Sequence, residues 1–223
     1  MVKMVIFFKR KSGMSVEAFQ DHWRRMHVGL IVRLPGIRRY VQSHVLPSGY
    51  RKGEPVFDAV AESSFDDTQA MKLLSGSPQY AEVLADEPNF IDRSTMRSII
   101  TDEHVIKDAP APANGVKSID FVTHKPGMPI DEFRAYWREV HGPLCAAIPA
   151  VRRYVQNHTR RSIYDSGRTP AFDGVAMTWF DSMDALRAAA PTPEFARLRD
   201  DVRKFVARDQ SPFVLTQEHV ITE

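Results

Sequence analysis

Leu34-Pro-Gly-Ile-Arg-Arg-Tyr-Val-Gln-Ser-His44 returns 114 residues later as Ile148-Pro-Ala-Val-Arg-Arg-Tyr-Val-Gln-Asn-His158, identical at seven of eleven positions. The register extends outward: Phe19, Trp23 and His27 match Phe133, Trp137 and His141 at the same offset. After one inserted residue the offset becomes 115, carrying Phe57-Asp58 to Phe172-Asp173 and Glu103-His104-Val105-Ile106 to Glu218-His219-Val220-Ile221. A period this long duplicates a whole domain, since solenoid repeats recur every ~20–50 residues. The expected layout is a first repeat over 1–107, a Pro/Ala-rich linker over 108–117 and a second repeat over 118–223.

The 223 residues are 43% hydrophobic and 26% charged, an ordinary globular composition with enough chain for one core per copy. A net charge of +2 with no basic stripe argues against nucleic acid, and the lack of a long apolar run argues against a membrane. The N-terminus has no signal-peptide layout, and the single Cys145 cannot close an intrachain disulfide; both point to the cytoplasm.

Val5-Ile-Phe-Phe8 and Ile119-Asp-Phe-Val-Thr123 are β-branched and aromatic, and read as strands. Val16, Phe19, Trp23, Met26 and Leu30, like Ile130, Phe133, Trp137, Val140 and Leu144, recur at helical spacing. The Arg-Arg-Tyr-Val-Gln segment supplies strand two, Phe57 to Phe65 and Phe172 to Phe180 strand three, and Ile99 to Ile106 and Val214 to Ile221 the last. Asp66 and Asp181 fall where helix N-caps belong, and Ser77-Pro78 and Thr192-Pro193 open a second helix in each copy. The order is βαββαβ, an α+β ferredoxin-like unit. Val5-Ile-Phe-Phe8 and Phe172 to Phe180 carry apolar residues on both faces, so the expected arrangement packs the two repeats sheet to sheet as an intrachain α/β barrel.

Phe133-Arg-Ala-Tyr-Trp-Arg-Glu-Val-His-Gly-Pro-Leu144, with Phe172-Asp-Gly-Val-Ala176, Phe180-Asp-Ser-Met-Asp-Ala185 and the Pro-Glu-Phe at 193–195, resembles the signature of EthD-domain proteins in the dimeric α/β-barrel superfamily. The first copy departs from it, with His27-Val-Gly-Leu30 in place of His-Gly-Pro-Leu. The resemblance implies the barrel. It also implies a range of activities, from cofactor-free monooxygenases to polyketide cyclases, dehydratases and lactone isomerases.

Tyr40, Gln42 and His44 share one face of strand two, as do Tyr154, Gln156 and His158, and are expected to line the barrel interior as a polar strip. Buried hydrogen bonding that fixes sheet register explains the strip equally well. Where the copies differ, chemistry has room to settle: Glu62 against Met177, Ser64 against Trp179, Ile6 against Asp120. The candidate acid/base pairs are His44 with Glu62, or His158 with Asp120 flanked by Met177 and Trp179 as an apolar wall; Tyr40 or Tyr154 would orient a carbonyl. His27 and His141 lie on the buried helix stripe, as structural histidines bonded to a carbonyl or as substrate-binding residues beside Gln42 and Gln156. His104 and His219 read as exposed edge residues. No spacing suggests a metal site or a phosphate loop, so no cofactor is expected.

The leading expectation is a cofactor-independent lyase or isomerase, of dehydratase or cyclase type, moving protons on a small apolar, aromatic or polyketide-like compound. A cofactor-free monooxygenase is the alternative, and a non-catalytic binding or assembly protein the third. A homodimer through the helices is compatible with all three.

Overall fold

The computed structural model describes residues 1–222. In chain order the first repeat builds β1 (Val2–Arg10), α1 (Val16–Asp21), α2 (Val28–Ile31), β2 (Ile37–Val45), β3 (Ala59–Phe65), α3 (Thr68–Leu74), α4 (Pro78–Phe90) and β4 (Ile91–Lys107). The second builds β5 (Val116–Val122), α5 (Ile130–Tyr136), α6 (Gly142–Ala146), β6 (Arg153–Thr159), α7 (Arg161–Asp165), β7 (Gly174–Phe180), α8 (Met183–Ala189), α9 (Pro193–Phe205) and β8 (Phe213–Thr222). The fold is α+β, and the antiparallel strands hydrogen-bond in the closed barrel order β1-β3-β2-β8-β5-β7-β6-β4.

The chain forms two compact units, Met1–Ile100 with the last strand segment from Glu218, and Thr101–Gln217. Their boundaries fall inside strands rather than in the Pro/Ala segment. The reason is strand length: β4 runs for 17 residues, and its stretch from Thr101 to Lys107 pairs with β6. Likewise the start of β8 pairs with β5, from Lys117↔Thr216 to Asp120↔Phe213.

Within the first unit β3 is central, pairing with β1 and β2; within the second β7 takes that place between β5 and β6. Each sheet carries its helices over one face. The first core gathers Phe8, Phe19, Trp23, Tyr40, Phe65 and Phe90, and the second Phe133, Trp137, Tyr154, Phe180 and Phe205. Each such ring, taken out of water, contributes about 2–3 kcal/mol.

Two local features differ from the sequence reading. The caps of α3 and α8 are Asp67 and Ser182, one residue beyond Asp66 and Asp181; Asp67 accepts from the backbone N–H of Gln69 and Ala70, both at 2.8 Å. Ser77 and Thr192 do cap α4 and α9. And the first helix of each copy widens into a π-helical stretch, His22–His27 and Trp137–His141, the kind of irregularity that accompanies functional sites. No helix among the described residues is long and apolar enough to cross a membrane.

Candidate functional site

The polar strip faces the helices, not the barrel interior. Trp137 Nε1 donates to the Tyr154 hydroxyl at 3.1 Å, and Gln156 Nε2 donates to the Trp137 carbonyl inside the π-helical turn at 2.8 Å. That carbonyl can only accept, which fixes the amide and leaves Gln156 Oε1 to take a proton from His158 Nε2 at 3.0 Å. The His158 ring lies flat on Trp137, centroids 4.3 Å apart. The first copy repeats each contact: Trp23 to Tyr40 at 3.1 Å, Gln42 to the Trp23 carbonyl at 2.9 Å, His44 to Gln42 at 3.1 Å, and His44 stacked on Trp23 at 4.5 Å. The network ties helix to sheet in both units. Burial, then a neighbouring histidine, pushes the imidazoles down, to about 3 for His44 beside His219 and about 2 for His158 beside His104. Both rings are therefore neutral at any ordinary pH, each held between its glutamine and its tryptophan. His104 and His219 are accordingly half-buried and edge-on to the strand histidines, with centroids 4.7 Å apart in both units, not exposed edge residues. Gln156→Leu is expected to cost about 1–3 kcal/mol, since it strips a carbonyl and an imidazole of buried partners, and thermal unfolding would read it as a Tm several degrees lower.

The pairing of His44 with Glu62 does not form. Cross-strand partners share a face, and Glu62 stands opposite Val41 and Val5, whereas His44 stands opposite Ala59. Glu62 instead makes a buried ion pair with Lys3 at 2.9 Å. By the same logic Met177, opposite Ile119 and Val155, and Trp179, opposite Lys117 and Arg153, lie on the face away from Asp120. They form no wall for it; Trp179 packs instead under the Lys117 ammonium, 4.7 Å from the ring centroid.

Asp120 stands opposite Ala176, and Ala176 opposite Gln156, so the carboxylate faces the helices. There it enters a cavity of about 690 Å³ between sheet and helices of the second unit, with Ser118, Thr178, Cys145, Tyr154 and His141. Most of the remaining wall is apolar, including Trp137, Phe180, Leu186, Phe195, Leu198 and Phe205, with Arg187, Arg199, Arg208 and Ser211 completing it. His158 is not part of this lining. The first unit holds the equivalent space at only about 150 Å³. The difference is written in the lining, where Met4, Ile6, Phe8, Ile31 and Met96 stand in place of the second copy's Ser118, Asp120, Val122, Cys145 and Ser211. Larger apolar side chains have filled the first cavity.

Burial raises the Asp120 carboxyl to about 6, against a hydrogen bond from Ser118 Oγ at 2.9 Å that lowers it. Cys145 is pushed up to about 12 by burial and then by the Asp120 charge, so it stays a thiol. Burial lifts Tyr154 well above the phenol range. Its oxygen already accepts from Trp137 and, at 3.2 Å, from Gln156, which leaves its own proton to donate elsewhere. Tyr40 likewise rises to about 12.

His141 Nδ1 is bonded to Asp201 Oδ2 at 2.9 Å, and Asp201 Oδ1 accepts from the Tyr136 hydroxyl at 2.7 Å. The partner is therefore a carboxylate, not the backbone carbonyl expected at a helix end. Burial lowers the His141 imidazole while Asp201 opposes the fall. Burial pushes the Asp201 carboxyl up, but hydrogen bonds from Tyr136, His141 and Lys204 outweigh it and hold the group low. The neutral ring keeps its Nδ1 proton on Asp201, and Nε2 is the basic nitrogen on a ring that lines the cavity. The first copy repeats the pair as His27 and Asp86 at 2.9 Å. Sequence reading missed both aspartates, although Asp86 and Asp201 match at the offset of 115.

The EthD-domain profile matches residues 11–94 and again 125–209, and the chain belongs to the EthD family. Among solved structures it is similar to an anthrone oxidase-like protein (TM-score 0.68, 12% identity, covering 100% of this chain and 94% of that one). It is similar also to candidate monooxygenases from Fusobacterium nucleatum (TM-score 0.63, 12% identity, 99% and 92%) and Lactobacillus acidophilus (TM-score 0.59, 12% identity, 99% and 95%). At this identity the likeness concerns the fold. No curated protein matches the chain.

Proposed function

We propose that the second unit's cavity is the active pocket of a cofactor-independent oxygenase acting on a small, mostly apolar aromatic or polyketide-like compound with an acidic C–H. The observation that carries this is the contrast between the copies: one cavity is filled by Met4, Ile6 and Ile31, and the other is open around a carboxylate raised to about 6. A base poised there is ionised at neutral pH yet still basic enough to take a proton from carbon. Asp120 is assigned that role, Tyr154 donates to the developing enolate oxygen, and His141 Nε2 accepts from a neighbouring hydroxyl of the substrate.

The carbanion then supplies electrons to dioxygen. A methylene that loses two hydrogens keeps one oxygen atom as carbonyl, and the other leaves as water. The fold's likeness to candidate monooxygenases and an anthrone oxidase-like protein supports this outcome over the lyase or isomerase one, which shares only the first proton transfer. Oxygen uptake with anthrone as the probe, run under ¹⁸O₂, tests it. One labelled atom in the product ketone is expected; turnover undiminished without oxygen would reject the oxygenase reading.

Asp201 is assigned as a positioning residue for His141. Asp201→Asn is expected to lower kcat about tenfold or more with KM little changed. The activity loss on acidification near pH 6 should stay in place in that variant, because Asp120 is intact.

A further inference from the structure

The mouth of the second unit's cavity is of different chemistry from its interior. Phe213 is the cross-strand partner of Asp120, on the same sheet face, and is 60% exposed despite its size. The lining of the same cavity includes the exposed residues Arg187, Arg199 and Arg208, while Asp120 is the only carboxylate among the described lining residues. Arg187 is paired with Asp184 at 2.9 Å. Arg199 donates to the Ala190 carbonyl at 2.6 Å and lies 5.8 Å from the Phe195 ring centroid, and neither it nor Arg208 makes an ion pair with any described residue. The first copy has Ser98 and Leu84 where the second has Phe213 and Arg199. The aromatic surface and one of the two free cations therefore belong to the open cavity alone.

Resting on the reading of this cavity as the active pocket, we propose that its mouth recognises an anionic substituent, a carboxylate, on a planar aromatic substrate. The ring system would cover Phe213 on its way to Asp120, and Arg199 and Arg208 would take the charge. Guanidinium suits the task because it both stacks on rings and pairs with carboxylate. Nothing in the small cavity of the first unit offers the same pairing.

The test compares anthracene-2-carboxylic acid with its neutral carboxamide, by calorimetric titration of the full chain at low salt. The acid is expected to bind about tenfold more tightly, with the preference shrinking as salt rises and lost in the Arg199→Gln/Arg208→Gln double variant. Cys145→Trp, which obstructs the cavity, should weaken both compounds. Equal binding of acid and amide, both weakened by Cys145→Trp, would overturn the anion preference and leave the pocket standing. Binding of neither compound, or binding indifferent to Cys145→Trp, would overturn the pocket and the preference together.

Discussion

Asp120→Asn is expected to lower kcat/KM by about 10²–10⁴-fold while making the protein more stable at neutral pH. The loss of activity follows from removing the base; asparagine is close in size and can keep a hydrogen bond to Ser118 but cannot take a proton. The gain in stability follows from linkage. Burial raises the Asp120 carboxyl to about 6 in the fold against the ordinary aspartate value of 3.8, so between those values the folded state holds a proton that the unfolded state has released. Stability therefore falls as pH rises through that window, and at neutral pH the buried charge costs on the order of 2–3 kcal/mol. Asparagine removes the cost. Thermal unfolding at pH 4 and pH 7.5 reads the effect: the variant's advantage should be present at pH 7.5 and largely gone at pH 4. Wild-type activity should fall on acidification with a midpoint near 6. A variant that is both fully active and no more stable would show that Asp120 is neither base nor strained. Stability given up at a working carboxylate is the usual trade at an active site.

The second large effect comes from rewriting the open cavity with the first copy's residues. Ser118→Met, Asp120→Ile and Cys145→Ile together should close most of the 690 Å³ toward the 150 Å³ of the first unit, and abolish both ligand binding and turnover. Overpacking a core ordinarily costs about 1–3 kcal/mol. Here the same side chains already pack beneath the same tryptophan, tyrosine and histidine in the first unit, so the triple variant should fold with a Tm within a few degrees of wild type. Replacing Asp120 also removes a buried charge, which offsets part of any strain. Calorimetric titration with the aromatic acid alongside thermal unfolding separates the outcomes: a folded protein that no longer binds is expected. Retained binding would move the pocket elsewhere.

The architecture was legible because its determinants are local and repeated. Phe19, Trp23 and His27 lie at helical spacing, Ser77-Pro78 caps and starts a helix, and every one of these returns in the second copy. Period-two reasoning also placed Tyr40, Gln42 and His44 on one face. Which face was not legible, because β1 and β7 are largely apolar on both sides and a strand carries no mark saying where the helices lie. That ambiguity produced the pairing of His44 with Glu62 and put Met177 and Trp179 beside Asp120, each a choice of the wrong sheet face. Asp201 was hidden by its setting, since Arg-Leu-Arg-Asp-Asp-Val-Arg-Lys reads as a solvated helix surface; only its match to Asp86 set it apart. The contrast of Ile6 with Asp120 was visible, and it marks the open cavity. Cavity size itself was not, because it depends on how Met4, Ile6 and Phe8 of β1 meet Ile31 of α2, a packing that spacing along the chain does not give.

On the proposed assignment, one unit of the duplicated chain holds the pocket and the other has filled its counterpart down to about 150 Å³. Crystals soaked with 2-bromoanthraquinone test it directly, since anomalous scattering from bromine locates the compound without reference to any assumed pose. The expected result is a single strong bromine peak in the second unit's cavity, with the ring system beside Asp120, Tyr154 and His141. A peak in the first unit's cavity, or bromine only on the outer surface, would contradict it.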